Sequence, residues 1–185
     1  EDLGSGSAAA ASGGVTSFLD MPNNKPAIVD MEGMQMKLDS AAATCVSNYG
    51  FFIGATPHNL EQLQEVVGTP SAPKAIPGIC GTKIFMGSST GTLLVNEHEA
   101  LDTIFSGIGG LIAVHAEDEA RLNERYPSFK DRTDMAAHAE WRDDVTALLA
   151  TKLAVGLAEK HNHRLHVLHL TSGLEADWLE GRTTL

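Results

Sequence analysis

Residues 80–91, CGTKIFMGSSTG, form a short apolar segment typical of a β-strand, followed by a loop of glycine, serine and threonine. Lys83 lies inside the strand, where full burial lowers the pKa of a lysine amine by up to roughly 3–5 units. A neutral amine can react with carbon dioxide to give a carbamate, an anion whose two oxygens can bridge two metal ions. The commoner alternative is a lysine whose stem follows the strand while its ammonium group reaches solvent.

Strand and helix patterns alternate on both sides of this stretch. The five predicted strands are residues 15–20, 49–55, 82–86 (within the stretch 78–86), 111–115 and 164–170. Helix-length connections between them predict parallel strands packed against helices, an α/β fold, and leave open whether the sheet closes. No GxGxxG or GxxxxGK[ST] motif follows a strand, so a nucleotide-binding open sheet has no supporting motif.

Apolar spacing predicts the helices that connect these strands. The first helix ends near Ser12, another begins at Asn96, and the others span residues 31–46, 59–67, 117–126 and 135–161. On the last of these, the predicted apolar stripe consists of Trp141, Val145, Leu148, Leu149, Leu153 and Leu157. Residues 69–77 are predicted to be a proline-rich connection, and residues 127–133 a polar loop.

Composition limits the class of protein. A chain of 185 residues with 43% hydrophobic and 20% charged residues is typical of one globular domain. The net charge of −11 argues against binding to nucleic acid or to an anionic membrane. No apolar run approaches the ~20 residues that cross a bilayer. The two cysteines lack CxxC spacing and favour a reducing, cytoplasmic location.

Polar residues collect where the predicted strands end. Asp20 and Asn23 follow the first strand, Lys83 lies in the third, His115 ends the fourth, and His169 lies near the end of the fifth. Functional sites of parallel α/β folds form at this carboxyl edge, above all in (β/α)8 barrels. Because four strands contribute, we expect a site at this edge.

The fifth predicted strand contains three histidines. Alternation of strand side chains places His163 and His169 on one face and His166 on the other, toward the surrounding helices. His169 is nearest the carboxyl end and is therefore the better candidate for a metal ligand. A single histidine is more often a buried hydrogen-bonding group than a ligand, so the prediction depends on His115 and Lys83 as well.

Two neighbouring features carry alternative interpretations. Glu117 and Asp118 could orient His115, or they could simply favour a helix N-terminus. Ser88 and Ser89 lack the GxSxG motif of a nucleophile, and the glycine-rich loop around them could instead offer backbone N–H groups to an anionic or carbonyl ligand.

These segments together resemble a known family. Residues 13–26, GGVTSFLDMPNNKP, resemble the GGxTxxxDMPNTxP segment of dihydroorotases of the multifunctional-complex type. Residues 83–91, KIFMGSSTG, are similar to a segment of one bacterial branch, and VHAEDE at 114–119 and LHVLHLTS at 165–172 follow in the expected order. The resemblance spans practically all 185 residues, and the ordered combination is specific.

The resemblance implies a metal-dependent amidohydrolase on a TIM-type (β/α)8 barrel, with residues 1–185 forming a partial barrel domain that contains strands two to six. It implies that Lys83 is carboxylated and bridges two divalent metal ions, usually zinc. His115 and His169 would bind one of these metals, and Asn23 would hold the carboxylate of the substrate. The implied reaction is reversible hydrolysis of the cyclic amide of dihydroorotate to N-carbamoyl-aspartate, a step of pyrimidine synthesis.

Departures from the family pattern shape further expectations. The family's first-strand HxH and substrate-binding arginine would precede Glu1, and its aspartate general base would follow Leu185, so we expect this piece alone to be inactive. Asn24 stands where the family usually has threonine. Relatives are often dimers or tetramers, which implies a homo-oligomer. The alternatives are an allantoinase, a hydantoinase or dihydropyrimidinase, and a non-catalytic barrel scaffold; the DMPNN segment favours dihydroorotase.

Overall fold

The computed structural model describes residues 2–87 and 92–182. The strands in these ranges are β1 (Ser17–Asp20), β2 (Asn48–Gly54), β3 (Gly68–Thr69), β4 (Ala72–Pro73), β5 (Ile79–Phe85), β6 (Leu111–His115) and β7 (Arg164–Val167). Five of them form one sheet in the order β1-β2-β5-β6-β7, and every neighbouring pair is parallel. The order follows the chain without the reversal that marks a doubly wound sheet, as expected for part of a barrel.

Helices occupy the connections between these strands. They are α1 (Leu3–Ser12), α2 (Met31–Thr44), α3 (Leu60–Val67), α4 (His98–Gly107), α5 (Glu119–Arg125), α6 (Ala136–Trp141), α7 (Asp144–His161) and α8 (Gly173–Leu179), with a 3-10 turn at Tyr126–Ser128. Within the described ranges, no helix combines the length and the apolar character that a membrane span requires. The connection predicted at 69–77 contains part of a small antiparallel hairpin, β3–β4.

The two faces of the sheet have different environments. Phe51, Ile84 and Val114 pack with the helices in one hydrophobic core. Because strand side chains alternate, Lys83 and His115 lie on the opposite face. Leu19 also lies there, and its side chain remains 58% exposed. This face, which becomes the interior in a barrel, therefore carries the candidate site.

The prediction of one long helix at 135–161 is wrong, because two helices, α6 and α7, occupy this range. Arg142 adopts a non-helical conformation (φ −93°, ψ 62°), and Asp143 is extended and accepts a hydrogen bond from the Thr146 amide as the N-cap of α7. The indole of Trp141 donates to the carbonyl of Leu122 and so attaches α6 to α5. The break directs Arg142 toward the carboxyl edge of the sheet.

The apolar stripe predicted for this helix is also wrong in part. Val145 and Leu149 are 39% and 44% exposed. The buried face of α7 consists mainly of small residues: Thr146, Ala150, Thr151, Ala154, Val155, Leu157 and Ala158. Small side chains let a helix pack closely against its neighbours, and the Thr151 hydroxyl donates to Glu175 of α8 at 2.5 Å.

Candidate metal centre

The predicted edge forms where β5, β6 and β7 end side by side. In the register of the sheet, Phe85 is opposite His115, and Val114 is opposite Val167. The hydrogen bond from the Leu168 amide to the Val114 carbonyl, 3.1 Å, extends the pairing by one residue beyond β7. His169, the next residue, therefore lies beside the end of β6.

Lys83 is buried in the sheet at 1% exposure. Its ammonium donates to the carbonyl of Ile84 at 2.9 Å and lies 4.0 Å from the centroid of the Phe85 ring. No carboxylate in residues 2–87 or 92–182 forms an ion pair with it. Burial lowers the pKa of this amine to about 7, so a large fraction of it is neutral at neutral pH.

His115 and His169 meet directly. Nδ1 of His115 lies 3.0 Å from Nε2 of His169, and the two rings are edge-on with centroids 4.8 Å apart. The pKa of His169 is lowered first by burial and then by the electrostatic effect of His115 and Lys83. A neutral His169 can offer a lone pair to a metal.

Glu117 and Arg142 form a second layer behind His115. Nε2 of His115 donates to Glu117 Oε2 at 2.5 Å, and Arg142 contacts both carboxylate oxygens of Glu117. Burial acts to raise the pKa of Glu117, but the hydrogen bonds from His115 and Arg142 outweigh it and lower the pKa to about 2. An ionised Glu117 holds the His115 proton on Nε2, so Nδ1 directs its lone pair toward His169.

This donor set suits a divalent metal. Two nitrogens that bind one tetrahedral zinc at ~2.0–2.1 Å stand about 3.3 Å apart, close to the observed 3.0 Å between His115 Nδ1 and His169 Nε2. In the described part of the chain, no group of three His, Cys, Asp or Glu residues could hold a metal ion. A carbamate on Lys83 would supply the anionic donor that the two imidazoles lack.

Asn23 lies in the turn that follows β1, the strand two places from β5 in the sheet. Its side chain is exposed and has no hydrogen bond to the residues that the structure describes. Lys37 of α2 holds the residues on either side, by bonds to the Met21 carbonyl and the Asn24 amide oxygen. The structure therefore places Asn23 at the carboxyl edge without linking it to the histidines.

Two predictions about the last strand are wrong. The strand ends at Val167 rather than Leu170, and His169 follows it in a left-handed conformation with φ 37°. His166 does not face the helices, because Leu165 and Val167 pack in the core on that side and His166 is exposed. His163 is structural: its Nε2 donates to the Ile108 carbonyl and its ring meets Phe105 edge-on.

Some predicted or missed features remain. The glycine-rich loop with Ser88 and Ser89 lies outside the described residues. The contacts of Arg142 and Lys37 were not predicted from the sequence. For Arg142, the signal in the sequence was the capping residue Asp143, which marks a helix break. For Lys37, the signal was its position three residues after Met34, which places it on the buried face of α2. Neither signal identifies what the cation binds.

The sequence of this chain is similar to those of known enzymes. No protein-family model matches the chain. It is 32% identical over 181 residues to a dihydroorotase from Methanosarcina acetivorans, covering 95% of this chain and 36% of the relative. An allantoinase from Deinococcus radiodurans is 31% identical over 185 residues, a match that covers 94% of this chain and 38% of the relative. An allantoinase from Streptomyces avermitilis is 34% identical over 174 residues, a match that covers 89% of this chain and 36% of the relative.

Solved structures show the same fold. An L-hydantoinase (dihydropyrimidinase) from Arthrobacter aurescens superposes with a TM-score of 0.86 at 24% identity, covering 96% of this chain and 39% of its own. A dihydropyrimidinase from Brevibacillus agri NCHU1002 gives a TM-score of 0.74 at 26% identity, covering 96% and 38%. The five βα units therefore correspond to part of a TIM barrel like those of these enzymes.

The chain belongs to the amidohydrolase family, and its relatives are named dihydroorotase, allantoinase and hydantoinase. Within that family it is similar in sequence to dihydroorotases and allantoinases at nearly equal identity. It spans between 36% and 38% of the length of these relatives.

Proposed function

We propose that this chain carries part of the active site of a dihydroorotase. The observation that carries the proposal is the contact of His115 with His169 at the edge of a parallel sheet, beside the strand that holds buried Lys83, in a chain that also has the DMPNN segment. The reaction is reversible hydrolysis of the cyclic amide of dihydroorotate to N-carbamoyl-aspartate, in pyrimidine synthesis.

Each residue has a definite role in this proposal. Carboxylated Lys83 would hold a pair of divalent metal ions, and Nδ1 of His115 and Nε2 of His169 would hold one of the two. Zinc held there would supply Lewis-acid polarisation of a carbonyl and would lower the pKa of a bound water. Glu117 keeps the His115 proton away from the metal side of the ring, and Asn23 donates to the carboxylate of the substrate.

The carbamate has a direct test in metal loading. Metal-free protein is mixed with zinc in carbon-dioxide-free buffer or in buffer with bicarbonate, and bound zinc is measured. We expect loading at the bridged pair only when bicarbonate is present, because neutral Lys83 must first react with carbon dioxide. Equal loading in both buffers would contradict a carbamate ligand.

The rest of the enzyme is also part of the proposal. Residues 1–185 form one partial barrel domain, and the full-length protein supplies the second metal's histidines, the substrate-binding arginine and the aspartate general base. We propose a cytoplasmic homo-oligomer, a dimer or tetramer, that acts on a small-molecule substrate.

The second candidate is an allantoinase, favoured by relatives of that name at 31–34% identity. Full-length protein is assayed with dihydroorotate, allantoin and dihydrouracil. We expect turnover of dihydroorotate because Asn23 follows Asp20-Met21-Pro22 in the pattern of dihydroorotases. Turnover of only allantoin or dihydrouracil would overturn the choice. Zinc below one ion per chain, with no turnover, would favour a non-catalytic scaffold.

A further inference from the structure

Lys37 is a buried lysine outside the candidate metal centre. It lies on α2 between Met34 and Ala41, both fully buried, and is itself 7% exposed. Its ammonium contacts Asp20 Oδ2 at 2.7 Å, the Met21 carbonyl at 2.9 Å and Asn24 Oδ1 at 2.7 Å. An ammonium group has three N–H donors, so each donor has an acceptor. One acceptor, Asp20, is the last residue of β1, and the other two lie in the turn that follows it.

These acceptors lie on both sides of Asn23. Met21 and Asn24 are held from the α2 side, while the amide of Ile28 donates to the Pro22 carbonyl at 2.9 Å. Pro22 is buried beside Gly54, where an added Cβ would lie 3.1 Å from the Pro22 Cβ. The backbone around Asn23 is therefore anchored, although the Asn23 side chain has no bond to the described residues.

We propose that Lys37 is a positioning residue that holds this turn so that Asn23 can bind an anionic group of the substrate. The inference rests on the proposed function, because that function gives Asn23 its ligand. Asp20 neutralises the ammonium, so Lys37 acts by ordering the turn rather than by attracting the anion. Asn24 takes part in this ordering, because its amide oxygen is one of the three acceptors of Lys37.

Loss of Lys37 would leave the turn to be ordered when substrate binds. Ordering a segment on binding weakens affinity without changing the chemistry that follows. We therefore expect KM to rise while kcat and bound zinc stay constant. A purely structural ion pair would instead lower stability, zinc content and kcat together.

The experiment compares Lys37→Met with Lys25→Met in the full-length protein. Lys25 is exposed on the same turn, so the control removes the same charge from the same region without removing the three bonds. Peptide-resolved hydrogen exchange over residues 20–28 reports the order of the turn, and zinc content and steady-state kinetics with dihydroorotate report function. Asn24→Ala removes one acceptor and leaves Lys37 paired with Asp20, so it serves if Lys37→Met does not fold.

In Lys37→Met we expect faster exchange over residues 20–28 and a KM about tenfold higher, the scale of losing a hydrogen bond to a charged group. Lys25→Met should match the parent in exchange, and Asn24→Ala should shift exchange and KM in the same direction by less. Equal exchange in Lys37→Met and Lys25→Met, or a fall in kcat and zinc with KM unchanged, overturns the proposal. Turnover of none of the three cyclic amides overturns the proposed function, while the exchange comparison still decides whether Lys37 orders the turn.

Discussion

Burial of Lys83 without a carboxylate partner among the described residues is the condition for its reaction with carbon dioxide, because only a neutral amine is nucleophilic. We predict that Lys83→Ala in the full-length protein abolishes zinc binding at the bridged pair and, with it, hydrolysis. Lys130→Ala, on the exposed surface, is the control for loss of a positive charge. Metal analysis checks the prediction, and unchanged zinc in Lys83→Ala would contradict it.

Glu117 controls which nitrogen of His115 carries the proton. In Glu117→Gln the amide oxygen can still accept from His115, but the negative charge that pairs with Arg142 is lost. We expect zinc affinity to fall by roughly 10–100-fold, the usual effect of losing a partner of a metal-bound histidine. Competition with a chelator measures it. Glu124→Gln, on the exposed side of α5, should bind zinc as tightly as the parent.

Two of the three candidate metal ligands could be predicted from a local rule. Lys83 is an amine inside an apolar strand, and His115 ends a strand whose carboxyl edge carries function. The contact of His169 with His115 could not be derived from the alternation of strand side chains, because His169 adopts a left-handed conformation after the strand has ended. The partners of Lys37 and Arg142 are distant in sequence, so no spacing rule identifies them.

At the scale of elements, strands were predicted better than the longest helix. The strands β2, β5 and β6 are buried along most of their length, so each is visible in sequence as a short apolar run between breakers. The predicted stripe on α7 failed because the residues that pack closely are small, and hydrophobicity alone ranks Leu149 above Ala150 or Thr151. The separation of α6 from α7 depends on the cap at Asp143, a side-chain hydrogen bond.

Asp143 gives this element a testable dependence on pH. The hydrogen bond from Arg121 lowers the pKa of Asp143 below its ordinary value of 3.8, and the carboxylate also caps α7 through the Thr146 amide. A depressed pKa adds stability that is complete above the unfolded value and is lost as pH falls through the folded value. Asp143→Ala should therefore lose ~1–2 kcal/mol of unfolding free energy near neutral pH.

The difference between the parent and Asp143→Ala should shrink as pH falls below 3.8, because protonated Asp143 loses both its ion pair and its advantage as a cap. Denaturant unfolding at several pH values measures this. Asp144→Ala, at the first position of α7, is the matched control and should change stability little. A constant difference across the acidic range would show that Asp143 does not act through its charge.

At the scale of the whole molecule, the sheet has one face covered by helices and an opposite face on which Leu19 is exposed. Leu19 lies on the second face with Gly50 and Cys80: a Cβ added at Gly50 would lie 3.0 Å from Leu19 and would collide with the Cys80 sulfur. Met36 on α2 is almost equally exposed, 56% against 58%, but lies on the outer surface. The two residues therefore distinguish a closed barrel from an open sheet.

In the full-length protein, closure of a (β/α)8 barrel would bury Leu19 and leave Met36 in solvent. We predict that Leu19→Ala lowers the unfolding free energy by about 2–5 kcal/mol, the cost of removing a buried leucine side chain. Met36→Ala should change it by less than about 0.5 kcal/mol, as expected at an exposed site. Denaturant unfolding of both variants checks the difference. Similar small losses in both would mean that the face bearing Leu19 stays open, and the metal centre on that face would then lack the enclosure that a barrel provides.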